Sequence, residues 1–69
     1  MYDDTKKEIK LLDVVALRDD LPGNGLFRGQ QGTVVEIIAN GVFEVEFSSD
    51  EGETVALVPL KSEQLLLQR

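Results

Sequence analysis

An all-β fold of short antiparallel strands is predicted by three features of this sequence. Short runs of aliphatic, β-branched and aromatic residues recur along it, each bounded by Gly, Pro, Asn, Asp or Ser. Two of those runs, Thr33 to Ile38 and Val42 to Phe47, meet at Ala39-Asn40-Gly41, whose residues tolerate the positive φ of a hairpin corner. A chain of 69 residues is also too short to cover a sheet with a second layer of helices.

The elements follow in order. Met1 to Lys10, MYDDTKKEIK, is charged and without periodicity, and reads as a flexible lead-in to a domain spanning residues 11–69. Leu11 to Asp20, LLDVVALRDD, is a short apolar run bounded by acids, and predicts the first strand with Val15 and Leu17 inside and Val14 partly covered. Asp19 to Arg28 holds Pro22, Gly23, Asn24 and Gly25 and must be a loop. Its own apolar residues Leu21, Leu26 and Phe27 either pin it over the end of the fold or form an exposed patch for a partner, and the small core favours the first.

Gly29 and Gly32 enclose Gln30 and Gln31 before the second strand. A phosphate-binding loop would need a helix after the glycines and a Lys to follow, and neither is present. The steric reading is stronger: Gly29 makes the turn out of the loop and Gly32 permits a bulge or a close backbone approach. A three-residue loop closed by Gly41 sets Ile38 opposite Val42, Ile37 opposite Phe43 and Val35 opposite Val45, which gives one clean apolar face. A two-residue loop on Asn40-Gly41 would pair Phe43 with Ile38 and turn Glu36 toward the core opposite Val45. The three-residue register leaves Glu36, Glu44 and Glu46 outward beside Val34, Ile38 and Val42, with Glu36 directly facing Glu44.

SSDEGE is a polar loop whose acids, Asp50, Glu51 and Glu53, lack the spacing and terminal Glu of a calcium loop. Glu53 to Val58 predicts a third partner for the hairpin, ended by Pro59. Leu60 to Leu65 has the length of one helical turn with Ser62 as cap, and Leu65-Leu66-Leu67 returns as a strand against the first. Five short strands, one long loop after the first and one helical turn before the last make a small antiparallel SH3-like barrel.

Composition narrows the chemistry. With no Cys and no His, disulfides, zinc sites of the usual kind, thiol nucleophiles and His-based triads are excluded. Carboxylates alone can do acid and base work, but a fold of this size is expected to have no room for a substrate pocket of a few hundred Å³, so the protein is read as no enzyme, with no cofactor and no metal. Thirteen acids against seven bases give a net charge of −6, which repels phosphate backbones and favours basic partners. No window approaches a membrane span and the start lacks a secretory signal, so the cytoplasm is the expected compartment.

The stretch LLDVVALRDDLPGNGLFRGQQGTVVEI, followed by FEVEF, TVALVPL and EQL, resembles a family of short bacterial proteins known as domain of unknown function 4926. The resemblance covers about Ile9 to Leu67 and is most specific at Asp13 to Leu17, Asp20 to Pro22, Arg28 to Glu36 and Phe43 to Phe47. It implies a compact β fold and offers no established activity to transfer residue by residue. It also implies genes beside toxin-like partners, and hence an antitoxin or immunity role. More remotely, the DLP and RGxxGTV pattern looks like the SH3-like barrels of nitrile hydratase subunits and of translation-associated modules, which bind other macromolecules.

The functional expectation is therefore a small acidic protein-interaction module for a basic protein partner. Its candidate contact residues are Glu36, Glu44 and Glu46 on the hairpin and Leu21, Leu26 and Phe27 on the loop. The alternatives are a nucleic-acid-binding module, which would need a basic stripe with exposed aromatics where the chain offers scattered Arg18, Arg28 and Lys61, and a structural subunit. A homo-oligomer is compatible with each, because edge strands near Leu65 to Leu67 remain free to pair.

Overall fold

The computed structural model describes residues 8–68. Five strands, β1 (Val14–Leu17), β2 (Gln31–Ala39), β3 (Val42–Ser48), β4 (Thr54–Lys61) and β5 (Leu65–Leu67), form one antiparallel sheet in the order β4-β3-β2-β1-β5. Single 3-10 turns at Pro22–Asn24 and Ser62–Gln64 are the helical elements. The all-β class and the strand count agree with the sequence. No ladder joins the edges β4 and β5 among the described residues, so the sheet is not closed. It is nonetheless curled into a small barrel-like fold, because one core cluster takes Val15 and Leu17 from β1, Val34 from β2, Phe43, Val45 and Phe47 from β3, Val58 and Leu60 from β4, and Leu65 from β5. That core is wholly apolar among the described residues.

The lead-in is anchored at its end. Ile9 packs against the core, and a turn between Lys10 and Asp13 is closed by Asp13 N–H donating to the Lys10 carbonyl at 3.0 Å and Lys10 N–H donating to Asp13 Oδ2 at 2.7 Å. Leu12 in this turn holds a left-handed φ of 71°, a conformation that costs a non-glycine residue about 1–2 kcal/mol. The remainder of the expected flexible segment, residues 1–7, lies outside the described residues.

The hairpin register is partly as expected. Ile37 pairs with Phe43 and Glu36 with Glu44, and Gly41 takes φ 79°. The expected three-residue loop is corrected: β2 runs to Ala39, which pairs with Val42 across the two-residue Asn40-Gly41 loop, and a shift between Ile37 and Ala39 keeps Ile37 rather than Ile38 opposite Phe43. A second shift corrects the expected inner face: Val34, not Val35, lies opposite Val45, and Val34 is fully buried while Val35 is exposed. The cause is parity. Pairing with β1 sets Gly32 opposite Val15 and turns Gly32 and Val34 inward, whereas Phe43 draws Ile37 inward, and 34 and 37 differ by an odd number. An extra residue, a bulge at Val35, is the way one strand can satisfy both neighbours. Gly32 is held by contact as well: a Cβ there would lie 2.8 Å from the Glu46 carbonyl oxygen and from Val45 Cγ1, and 2.9 Å from Phe47 Cδ1.

Two smaller corrections concern β4 and the turn after it. Pro59 does not end the strand, which continues to Lys61 with Pro59 opposite Glu44. An edge strand has one side that needs no donors, so a residue without an N–H is tolerated there. Lys61, not Ser62, stands at the cap of the 3-10 turn, with its N–H donating to Gln64 Oε1 at 2.8 Å. β5 then pairs with β1, Leu17 opposite Leu65 and Val15 opposite Leu67, as expected.

Candidate partner-binding surface

Two surfaces were singled out by the sequence, and the structure keeps them apart. The loop between β1 and β2 is closed by its own backbone: Leu21 and Leu26 form a two-residue bridge around the Pro22–Asn24 turn, and Arg28 N–H donates to Asp20 Oδ1 at 2.8 Å. Gly29, at φ 87°, donates its N–H to the Leu17 carbonyl and returns the chain to the sheet. This geometry sends Leu26 fully into the core, where it offers no contact surface, and leaves Leu21 half-buried. Phe27, 56% exposed, is the one apolar residue of the loop trio presented to solvent. The loop is thus pinned to the core through Leu26 and exposed at Phe27, because successive residues of an extended segment face opposite ways.

The acidic surface lies further along β2. From Gln31 at the loop to Glu36 is about 16 Å of strand at the usual rise per residue, so Phe27 and the Glu36-Glu44 pair do not form one patch. On the outer face, cross-strand pairing places Thr33, Glu46 and Leu57 in one row, Glu36, Glu44 and Pro59 in the next, and Ala39, Val42 and Lys61 in the third. Glu46 is engaged within the sheet, accepting a hydrogen bond from the Thr54 hydroxyl at 2.5 Å. Glu36 and Glu44 meet no donor or basic group in hydrogen-bond or ion-pair range among the described residues. Their nearest base in the pairing scheme is Lys61, diagonal to Glu44, where side chains stand about 7–8 Å apart. Beside the pair, Ile38 and Val35 are exposed, and Leu57 and Val55 are more than half exposed on the adjoining edge strand.

A concavity that the sequence did not announce lies on the other, inner side of the hairpin tip. A groove of about 730 Å³ opens at the hairpin end of the sheet, lined by the lead-in at Ile9, by Ile37 and Phe43 of the hairpin and by β5. The expectation that so small a fold has no room for a cavity of this size is therefore corrected. It forms where the hairpin runs on past the end of β1, so that its inner side faces the lead-in and β5 instead of a paired strand. Its polar side chains are Glu8, Lys10, Asn40 and Ser62, and the rest of the lining is apolar apart from Gly41. Three segments distant in sequence build it, which is why no local pattern reveals it.

No group of His, Cys, Asp or Glu that could hold a metal ion occurs among the described residues, and no helix there is long and apolar enough to cross a membrane. No curated protein matches the chain, and no solved structure matches it. Residues 11–67 match the family described as Domain of unknown function (DUF4926), and the chain belongs to that family.

Proposed function

We propose that this protein is a non-enzymatic, cytoplasmic interaction module that binds a basic protein partner on the outer face of the β2-β3 hairpin. The observation that carries the reading is the Glu36-Glu44 pair, two carboxylates opposed across a ladder with no base in contact among the described residues and with exposed Val35 and Ile38 alongside. A like-charge cross-strand pair costs a few tenths of a kcal/mol to about one. A cationic side chain from a partner removes that cost, and the neighbouring aliphatics add area that is better buried. An antitoxin- or immunity-type role is one form such an interaction takes. Nucleic acid is disfavoured by the net charge of −6 and by acids in place of a basic stripe on this face.

The test is capture from the native cell at about 0.15 M salt, where screening acts beyond about 8 Å. Wild-type protein is expected to retain a basic protein, and Glu44→Arg to retain about tenfold less of it, as expected for loss of about 1.4 kcal/mol. Equal recovery with both proteins overturns the reading.

A further inference from the structure

The two sides of β2 are unequally used. Toward β3 the ladder runs from Thr33 to Ala39. Toward β1 it stops early: β1 pairs with Gln31, Gly32 and Thr33, and two further bonds, Val34 N–H to the Asp13 carbonyl at 2.9 Å and Leu12 N–H to the Val34 carbonyl at 2.7 Å, finish the contact. There the chain turns through Leu12 and its left-handed backbone, and the residues before it, Glu8 to Lys10, line the groove that Ile37 and Ala39 also border. From Val35 to Ala39 the β1-side edge of the strand has no backbone partner among the described residues.

The faces on either side of that free edge differ in chemistry. On the inner face lies the groove, with Ile37 half-exposed at its border and Phe43 and Leu65 buried beneath. On the outer face stand Glu36 and Glu44. An extended segment sends alternate side chains to opposite faces, so one laid along this edge would present one set to a groove with aliphatic walls at Ile9, Ile37 and Leu65 and polar groups at Glu8, Lys10, Asn40 and Ser62, and the other to two carboxylates.

We infer that Val35–Ala39 takes up a strand from a basic partner, a segment in which aliphatic residues alternate with Lys or Arg. The inference rests on the function proposed above and adds its mode of binding, strand addition at a sheet edge that is unpaired among the described residues. This edge, unpaired among the described residues, spans at most about 17 Å, the length of a regular five-residue strand. A second copy of this chain fits poorly, because pairing two such edges would bring another Glu36 and Glu44 onto the same outer face.

The probe is a capped peptide of alternating valine and lysine, about eight residues long, titrated into the full chain and followed by amide spectra and hydrogen exchange. Binding is expected to protect amides within Val35–Ala39 and to shift Ile37, Phe43 and Leu65. Substituting Ile37→Thr, at a position half in solvent, is expected to weaken binding about tenfold while leaving the spectrum of the free protein folded. A serine-lysine peptide that binds as tightly, with changes confined to Glu36 and Glu44, overturns strand addition and leaves the acidic-surface reading standing. A valine-glutamate peptide that binds as tightly overturns both. No saturable change with the valine-lysine peptide up to millimolar concentration, or protection of Val35–Ala39 by self-association without peptide, overturns the inference.

Discussion

The base and the tip of the β2-β3 hairpin are built from the same kinds of residue and meet different fates. At the base, Gly32 and Val34 face Val45 and Phe47 with β1 on one side and β4 beyond β3, and Val34, Val45 and Phe47 are fully buried. At the tip, Val35, Ile37 and Ile38 are as aliphatic as the base, yet 36%, 50% and 47% exposed. The difference is a neighbour. β1 accompanies β2 only as far as Val34, so beyond it the hairpin has β4 paired on one flank and, among the described residues, no paired strand on the other, where the groove between it, the lead-in and β5 opens. Burial in a sheet is a property of the strand alongside as much as of the residue, which is why β propensity alone does not predict it.

The largest expected effect tests that contrast directly. Phe47 is the biggest fully buried side chain, and Phe47→Ala is expected to cost about 3–5 kcal/mol. A chain of this size has about that much net stability, so the variant should be largely unfolded at room temperature. Ile37→Ala, at the half-exposed tip, should cost less than about 1.5 kcal/mol and leave the urea transition cooperative. Equal damage from the two would mean that the tip is as tightly packed as the base.

Next in size is Gly32→Ala. The added methyl would press on the Glu46 carbonyl and on Val45 and Phe47 at distances under 3 Å, and a backbone oxygen cannot swing aside as a side chain does. Overpacking of this kind costs about 1–3 kcal/mol. Hydrogen exchange should show the loss at the base, in β1 and β3, with the tip amides little altered. A neutral Gly32→Ala would show that the base has slack that its full burial does not suggest.

Much of this arrangement was legible in the sequence, and the parts that were not share a cause. Ile37 opposite Phe43 and Glu36 opposite Glu44 follow from the Asn40-Gly41 corner and the requirement that the phenyl ring lie inside. The exchange of Val34 for Val35 does not, because it arises from β1 and β3 imposing opposite parities on one strand, and β1 is far away in sequence. Pro59 misled for the same reason: whether a proline ends a strand depends on whether that strand lies at an edge. Leu26 and Phe27 are adjacent and chemically alike, and only the bridge between Leu21 and Leu26 decides which one enters the core. Of the candidate surface, the outward acids could be read directly. The groove could not, since Ile9, Ile37 and Leu65 come together only through the topology.

The smallest effect bears on the outer face of the tip. Glu36→Lys replaces a like-charge cross-strand pair by an opposite-charge one and should raise stability by about 0.5–1 kcal/mol at low salt. In about 1 M salt, where screening acts over about 3 Å, most of that gain should vanish. The reverse substitution, Glu44→Lys, removes the same repulsion but places the new cation diagonal to Lys61, so its gain should be smaller. The inequality separates two accounts of the pair. If the gains are equal, Lys61 has no electrostatic reach to Glu44 and the two carboxylates repel each other unrelieved. If Glu36→Lys gains nothing, the repulsion is already neutralised within the chain, and a basic partner would relieve nothing by binding there.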